Sequence, residues 1–254
     1  MRGDGAPISR LGGGSPSQAL SDLVSSASST LDGAWALFED LASNGSAWHV
    51  GSSRSALNII AAVFGVWIPR GHDLGIKRFG LLSKGHASMA LYTWLAASRM
   101  IPIEELKSYL RLGSRLQAHP EAFRVPGIIV STGSLGQGLS IANGIALASR
   151  IDGVPREVAV ILGDGELDEG QVWEAVATTS SKRLSNVTAI VDRNMTQHTG
   201  RTEEVKAKEP LEDRWRSFGW HVVTVRNTFD EIVAALEEAS TVDMPVVVIV
   251  RPRS

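Results

Sequence analysis

The chain of 254 residues contains no cysteine. This absence excludes disulfide bonds, thiolate metal sites and a cysteine nucleophile, and we expect a cytoplasmic protein. The chain also lacks a charge excess: 25 Lys and Arg residues face 27 Asp and Glu residues, so no basic footprint of nucleic-acid binding is present. No apolar run approaches the roughly 20 residues of a membrane span, and we expect no signal peptide.

The composition is that of a globular protein, with 43% hydrophobic and 20% charged residues. Residues 1–17 are rich in Gly, Pro and Ser and are predicted to form a flexible tail. Residues 18–254 are long enough for one large domain. Within them, short apolar runs alternate with helical patterns. This alternation predicts an α/β fold with a doubly wound, mostly parallel sheet flanked by helices.

The individual elements follow from periodicity and from stop signals. Strands are predicted at residues 78–82, 158–162, 187–191, 221–225 and 246–250. Helices are predicted at residues 17–42, 53–67, 87–99, 103–112, 137–150, 170–181 and 229–240. The stretch 117–136 contains prolines and glycines and is predicted to be a loop.

Two polar clusters follow neighbouring predicted strands. Gly163-Asp164-Gly165 ends the apolar run 158–162, and Asn194 follows the run 187–191. Because ligands bind parallel sheets at the carboxyl edge, these side chains are placed for binding. Carboxylate and amide oxygens suit Mg²⁺ together with diphosphate oxygens, and glycines allow close approach of a phosphate. The alternative is ordinary turn and helix-cap chemistry.

Three histidines lie in or next to loops. His86 follows a strand and opens a helix, where it could donate to a phosphate or simply pack as a cap. His49 and His119 are isolated in loops and could be structural. If several histidines shared one pocket, they would indicate recognition of hydroxyl and carbonyl oxygens.

A glycine-rich segment at 131–138 enters a predicted helix. It lacks the lysine of a phosphate-binding P-loop and the glycine spacing of a dinucleotide-binding fingerprint, so both of those sites are disfavoured. A tight structural loop is the alternative.

Four segments together resemble transketolase, and more closely the N-terminal subunit of split transketolases, in which two polypeptides share the enzyme. They read Leu-Ser-Lys-Gly-His at 82–86, Ser-Thr-Gly-Ser-Leu-Gly-Gln-Gly at 131–138, Leu-Gly-Asp-Gly-Glu-Leu-Asp-Glu-Gly-Gln-Val-Trp-Glu-Ala at 162–175 and Val-Asp-Arg-Asn at 191–194. They occur in the family's order and spacing, and the resemblance extends over about residues 21–250.

The resemblance implies thiamine diphosphate (ThDP) and Mg²⁺ as cofactors. Asp164 and Asn194 would hold the metal, with the backbone carbonyl of Thr196 as a third ligand. Gly165 and His86 would contact the diphosphate, and Asn194 would belong to the cofactor site as well.

The resemblance also implies roles around the reacting end of the cofactor. His49 and His119 would face the substrate carbonyl and hydroxyls, and Glu169 would reach across a subunit interface toward a partner's catalytic glutamate. The aminopyrimidine would be lined by three residues of the glycine-rich loop, Gly133, Ser134 and Leu135.

A complete ThDP site of this family needs a second domain that covers the aminopyrimidine and supplies that glutamate. The sequence ends at residue 254, directly after the last predicted strand. We therefore expect the chain to be inactive alone and to act with a separate C-terminal transketolase-like subunit, as an α2β2 heterotetramer.

Two segments depart from the family pattern. The usual Asp-Gly-His-Asp is replaced by Asn-Thr-Phe-Asp at 227–230, so Phe229 stands at the position of an active-site histidine. The pocket is predicted to be less polar there, unless His221 or a partner residue substitutes. Residues 194–200 read Asn-Met-Thr-Gln-His-Thr-Gly instead of Asn-Gly-Leu-Gln-Ile-Asp-Gly, and His198 could partly replace the lost imidazole.

The primary functional hypothesis is ketol transfer: cleavage of the C2–C3 bond of a ketose and passage of the two-carbon unit to an aldehyde. One alternative keeps the cofactor but decarboxylates a 2-oxo acid and transfers an acyl or acyloin unit. Another is a non-catalytic scaffold subunit, and a dinucleotide-binding protein is disfavoured because Gly-x-Gly-x-x-Gly is absent after a first strand.

Overall fold

The computed structural model describes residues 15–43 and 47–253. The strands are β1 (Lys77–Leu82), β2 (Arg156–Gly163), β3 (Val187–Asp192), β4 (Thr196–Gln197), β5 (Gly200–Arg201), β6 (His221–Arg226) and β7 (Val246–Arg251). The α-helices are α1 (Pro16–Ser43), α2 (Val50–Ile60), α3 (Ile68–Asp73), α4 (Ser88–Ala97), α5 (Gln137–Asp152), α6 (Gly170–Ser181), α7 (Thr202–Val205), α8 (Leu211–Ser217) and α9 (Phe229–Ala239). Most of the predicted tail lies outside the described residues. Its last two residues, 16 and 17, belong to α1.

Five strands form one parallel sheet in the order β1-β2-β3-β7-β6. The connection from β2 to β3 runs through α6, and the connection from β6 to β7 runs through α9 in the opposite direction along the sheet. These two helices lie on opposite faces, which is what right-handed crossovers require. The predicted doubly wound α/β fold is therefore confirmed.

The strands are uninterrupted apolar runs because both faces of the sheet are covered. In β2, Val158, Val160 and Leu162 face the layer that contains α5, α6 and α8. The alternate residues Ala159 and Ile161 face the layer that contains α1, α2, α4 and α9. The alternation of side chains along each strand thus divides the hydrophobic core into two layers with the sheet between them.

The parallel register brings the ends of β2 and β3 level with each other. Gly163 pairs with Asp192, so Asp164 and Asn194 leave adjacent strands at the same carboxyl edge. This placement was predicted from the two apolar runs alone, and it is confirmed.

Two predicted helices differ from the structure. The helix predicted at 53–67 extends over Val50–Asp73 and includes a π-helical stretch, Ala61–Trp67. The helix predicted at 103–112 is only a 3₁₀ turn, Ile103–Ser108. There the core is reached by Leu106 and Tyr109, and a spacing of three residues matches the 3₁₀ period.

The helical run Val50–Asp73 is long and apolar enough to cross a membrane by length and composition alone, with a mean hydropathy of 1.2 in its most apolar window. Of that window, 56% is buried inside the domain, as in the core helix of a folded protein. The run is therefore weak evidence for a membrane span. Polar residues interrupt this helical run, so the amino-acid sequence did not indicate it as a possible span. The cytoplasmic location stays a prediction.

Two glycines allow a matched test of how the helical run Val50–Asp73 packs in the core. A Cβ atom on Gly65 would lie 2.6 Å from the Trp94 ring, whereas a Cβ atom on Gly144 would meet nothing within 4 Å. We expect Gly65→Ala to lower the free energy of unfolding by roughly 1–3 kcal/mol through overpacking. Gly144→Ala, on an exposed position of α5, is expected to raise it by roughly 0.5–1 kcal/mol. Urea unfolding of both variants measures the difference, and equal stabilities would contradict the described packing of Gly65.

Candidate functional site

Asp164 is the first residue after β2 and is only 1% exposed. Its Oδ2 atom accepts hydrogen bonds from Arg193 Nη1 at 2.7 Å and from the backbone N–H of Met195 at 2.9 Å. Its Oδ1 atom accepts a bond from the Gly165 N–H at 2.9 Å. Burial raises the pKa of Asp164, and the Arg193 guanidinium opposes that rise. One carboxylate oxygen is thus held by several donors, while the other has only one among the described residues.

Asn194 and Thr196 lie beside this carboxylate. The Asn194 Oδ1 atom accepts the Thr196 N–H at 2.9 Å, and the Asn194 amide donates to Ser55 Oγ at 3.0 Å. Met195, between them, has a φ of 67°, a left-handed conformation that turns its N–H toward Asp164. The structure therefore brings together all three residues predicted to hold a metal.

The donor set fits Mg²⁺, because a carboxylate, an amide oxygen and a backbone carbonyl are hard oxygen ligands. Among residues 15–43 and 47–253, no group of three or more His, Cys, Asp or Glu side chains is arranged to hold a metal ion. A cation held by Asp164 and Asn194 would consequently depend on carbonyl oxygens and on oxygens of a bound ligand.

Three glycines form a cradle into which a side chain does not fit. A Cβ atom on Gly85 would lie 2.8 Å from the Gly133 nitrogen, and one on Gly165 would lie 2.9 Å from Gln197 Cβ. Gly133 has a φ of 133°, and its Cβ would lie 2.5 Å from the His119 ring. The Gly85 and Gly165 N–H groups donate to the Ser83 carbonyl and to Asp164 Oδ1. The fit of this cradle to a diphosphate group therefore rests on the absence of side chains, which permits close backbone approach.

Four imidazoles converge next to the cradle, around Trp48. The ring centroids of His49 and His86 are 4.4 Å apart, those of His86 and His119 are 5.2 Å apart, and those of His49 and His198 are 6.1 Å apart. Trp48 packs edge-on against three of the rings, with a centroid 4.2 Å from that of His49. The pocket of several histidines considered in the sequence analysis is therefore present.

Each of these histidines comes from a different part of the chain. His49 immediately precedes α2 and has a left-handed backbone with a φ of 52°. His86 lies in the 3₁₀ turn after β1, and His119 lies in the loop that contacts Gly133. His198 lies in the turn between β4 and β5. The carboxyl edge of the sheet is where these loops meet.

Burial favours the neutral imidazole form of His86 and His49. Desolvation, followed by the charges of His49, His119 and Lys84 among its neighbours, lowers the pKa of His86 to about 4. Desolvation also lowers the pKa of His49, and the charges of His198 and His119 add to this effect. Neutral imidazoles both donate and accept hydrogen bonds, which suits hydroxyl and carbonyl oxygens. The buried Nε2 atom of His119 has no hydrogen-bond partner among the described residues.

The remaining predicted residues form the rim of the site. Ser134 and Glu169 are exposed, and Leu135 is half-buried. Glu169 immediately precedes α6, and its Cβ would lie only 2.9 Å from a Cβ placed on Gly136 of the glycine-rich loop. All residues predicted for the site therefore border one region, which is buried at Asp164, half-buried at Asn194 and open to solvent at Thr196 and at the rim.

Glu166 is a buried residue of the site that was not among the residues predicted from the sequence. It is 2% exposed, and its carboxylate accepts bonds from the Ser83 hydroxyl, from the Gly136 N–H at 2.9 Å and from the Gly163 N–H at 3.0 Å. Burial raises the pKa of Glu166, and these donors together with Lys84 oppose the rise. One side chain thereby joins three of the four motif segments. The acidic turn after Asp164 was visible in the sequence, but its partners are not.

A second buried pair fixes α2 to the same edge. Lys84 Nζ lies 2.5 Å from Asp192 Oδ2, and the Ser55 hydroxyl donates to the same oxygen at 2.5 Å. Lys84 and Asp192 are 3% and 1% exposed. Because Ser55 belongs to α2, this pair fixes the helix that follows His49.

Phe229 does not line the pocket as an aromatic substitute for an imidazole. It is 8% exposed and belongs to the core layer on the α2 and α9 side of the sheet. His221 cannot replace the missing imidazole, because it lies at the amino end of β6 and contacts Glu238. Of the substitutes considered within the chain, only His198 reaches the cluster.

Comparison with known proteins agrees with the motifs and the fold. Residues 37–252 match the family described as transketolase, thiamine diphosphate binding domain. The chain belongs to the transketolase family. The match extends from the last two turns of α1 to the residue after β7, so it includes every element of the parallel sheet.

Similar sequences include components of divided transketolases. The 6-deoxy-6-sulfo-D-fructose transketolase subunit SqwG of Clostridium sp. is 45% identical over 75% of this chain and 71% of its own. An apulose-4-phosphate transketolase subunit of Phocaeicola vulgatus is 38% identical over 78% of this chain and 70% of its own.

Solved transketolase structures have the same fold. The transketolase of Campylobacter jejuni superposes with a TM-score of 0.76 and 25% identity over 91% of this chain. The Pichia stipitis enzyme in complex with sedoheptulose 7-phosphate gives a TM-score of 0.75 and 31% identity over 90% of this chain. This chain covers only 37% and 36% of those two transketolase chains.

The lowered pKa of His86 predicts a pH-dependent stability. Because the folded-state pKa of about 4 lies below the usual 6.5, the unfolded chain binds more protons between these values. Stability therefore falls as the pH is lowered from about 6.5 to about 4. We expect His86→Gln to flatten this part of the urea-midpoint profile, and His72→Gln, on an exposed position of α3, to leave it unchanged. Parallel profiles for wild type and His86→Gln would contradict the burial assigned to His86.

The role of Glu166 predicts a large loss of stability on truncation. In Glu166→Ala, the Gly136 and Gly163 N–H groups lose their buried acceptor, at a cost of roughly 1–3 kcal/mol each. Glu166→Gln is expected to be intermediate, since its amide keeps one acceptor oxygen. Glu174→Ala, at an exposed position of α6, is expected to change the free energy of unfolding by less than about 0.5 kcal/mol. Urea unfolding measures all three, and a stability of Glu166→Ala equal to that of Glu174→Ala would contradict the assigned contacts.

Proposed function

We propose that this chain is the diphosphate- and Mg²⁺-binding subunit of a two-component transketolase. The complex transfers a two-carbon ketol unit from a ketose donor to an aldehyde acceptor. The observation that carries this proposal is the convergence of Asp164, Asn194 and the glycine cradle with four imidazoles at one edge of the sheet.

In this proposal Mg²⁺ is held by the Asp164 carboxylate, the Asn194 amide oxygen and the Thr196 carbonyl. Gly165 and His86 contact the diphosphate. A glycine is needed at position 165, because a Cβ atom there would lie 2.9 Å from Gln197 Cβ. When bound, ThDP supplies the carbanion chemistry by which the ketose C2–C3 bond is broken. The chain contributes placement and electrostatics.

The glycine-rich loop is proposed to border the aminopyrimidine through Gly133, Ser134 and Leu135. Gly133 supports this role because its backbone contacts both Gly85 and the His119 ring. Ser134 is exposed and therefore accessible to a ligand that lies between this chain and a second domain.

His49 and His119 are proposed to orient the substrate. Their rings flank His86, and the lowered pKa of His49 keeps its imidazole neutral near pH 7. Neutral imidazoles hydrogen-bond to the carbonyl and hydroxyl oxygens of a ketose and hold the reacting carbonyl in position. The unpartnered Nε2 atom of His119 is available for such an oxygen.

The partner is proposed to be a C-terminal transketolase-like subunit that supplies the pyrimidine-binding domain and a catalytic glutamate. The naming of two similar proteins as transketolase subunits supports this division. Glu169 at the exposed rim would face the partner's glutamate. We propose an α2β2 assembly.

Cofactor titration tests the half-site. We expect ThDP with Mg²⁺ to bind the mixture of this chain and its C-terminal subunit, and Asp164→Ala to weaken binding by more than about 100-fold. The control Asp213→Ala, at an exposed position of α8, is expected to bind normally. Isothermal titration calorimetry measures both. Unchanged affinity in Asp164→Ala would contradict the metal-ligand assignment, and no binding by any mixture would favour a scaffold role.

Turnover tests the reaction class. The names of the two relatives specify 6-deoxy-6-sulfo-D-fructose and apulose 4-phosphate, so these define the first compounds to screen together with common ketose phosphates. Ketol transfer by the complex, and none by the chain alone, is the expected result. Release of CO₂ from pyruvate instead would identify a 2-oxo acid decarboxylase, and full turnover by the single chain would contradict the two-component proposal.

A further inference from the structure

A short hairpin carries the fourth imidazole of the cluster. Thr196–Gln197 pairs antiparallel with Gly200–Arg201, and His198 and Thr199 form the turn. His198 is exposed, while His49, at a ring distance of 6.1 Å, is half-buried. Among the described histidines of the cluster, His198 is therefore the one at the mouth of the pocket.

The hairpin has a defined position because its first strand packs on the Asp164 turn. Gln197 packs closely against Gly165, because a Cβ atom added to Gly165 would lie only 2.9 Å from the Gln197 Cβ atom. The Gln197 side chain also accepts a bond from Lys208 Nζ at 3.4 Å, and Lys208 is itself 2% exposed and paired with Asp168 at 3.1 Å. These contacts place His198 relative to the same turn that holds the proposed metal ligands.

The outer part of the pocket receives no imidazole from α9. The first residue of α9 is Phe229, which is packed in the core, and the neighbouring Asn227 donates to the Ser55 carbonyl at 2.7 Å. The end of β6 is thus tied to α2. A substrate group that extends from the inner histidines toward solvent would meet His198 instead.

We propose that His198 is a specificity-determining residue that hydrogen-bonds to oxygen atoms at the end of the ketose remote from its carbonyl. This inference rests on the proposed function. The rings of His49, His86 and His119, which are proposed to contact the reacting end of the ligands, lie against one another, and the exposed His198 lies beside His49 on the solvent side of this cluster. His198 is therefore placed to contact the distal hydroxyl or anionic group. An imidazole can donate to either group, whereas an aliphatic side chain at this position cannot.

The test uses the complex of this chain with its C-terminal subunit, loaded with ThDP and Mg²⁺. The variants are His198→Ile, which removes hydrogen bonding, His198→Asn, which keeps a donor, and Thr199→Ala as a control on the same turn. Donor binding is followed by the change in intrinsic tryptophan fluorescence, to which Trp48 beside three of the histidines contributes, and by KM and kcat. The probes are fructose 6-phosphate and 6-deoxy-6-sulfo-D-fructose, with erythrulose as a short ketose without a distal charged group.

We expect His198→Ile to raise KM and Kd for the two long probes by about 5–30-fold, with kcat within about 2-fold. Erythrulose and ThDP are expected to bind with unchanged affinity. His198→Asn is expected to recover part of the loss, and Thr199→Ala is expected to behave as wild type. A different response of the phosphate and the sulfonate probes would show which anion the residue recognises.

Equal binding of the long probes by wild type and His198→Ile would overturn this inference while leaving ketol transfer intact. Equal weakening of long and short probes would also overturn it, since the effect would then be structural. If the wild-type complex binds none of the ketoses, both this inference and the proposed function are wrong. If it binds them with the predicted dependence on His198 but transfers no ketol unit, only the reaction class is wrong.

Discussion

The site depends on keeping the Asp164 carboxylate ionised in a position that is almost fully buried. Burial alone raises the pKa of this group, and an uncompensated charge there would be costly. Arg193, with no exposed surface, supplies the compensating charge, and it is itself paired with Glu203 and Glu209. Glu209 in turn bonds to Arg251 on β7. The carboxylate geometry is therefore fixed by a chain of ion pairs that reaches across the sheet to another strand.

The same edge also fixes the histidine cluster that is proposed to bind substrate, because buried polar contacts tie the loops that bear the histidines to it. Glu166 connects the segments after β1 and β2 with the start of α5, and the pair of Lys84 and Asp192 connects β1, β3 and, through Ser55, α2. Cofactor and substrate regions consequently share one rigid support. A change in either buried carboxylate is expected to displace both regions together.

The sequence was sufficient for the strands and for the position of Asp164 and Asn194 at one edge of the sheet, because buried parallel strands are continuous apolar runs and their polar ends mark the sheet edge. It was insufficient for contacts between distant segments. Glu166 and Ser83 are 83 positions apart, and no local pattern pairs them. The two-residue strands that position His198 are too short to show a periodicity. Likewise, apolar residues at 103–112 indicated an α-helix, whereas packing of Tyr109 selected a 3₁₀ turn.

The asymmetry of burial explains why the proposed reaction needs a second subunit. Asp164 and Glu166 are sequestered within this chain, whereas Glu169 and His198 are open to solvent. Residues of this chain can therefore hold the metal and the diphosphate from one side of the site. They cannot exclude water from the reacting carbonyl. Covering the rim would bury the histidine cluster further, and since desolvation is already the main cause of the lowered pKa of His86, assembly would keep that imidazole neutral over a still wider pH range. Assembly with the second subunit would then determine both the exclusion of water from the histidine cluster and the protonation state of His86.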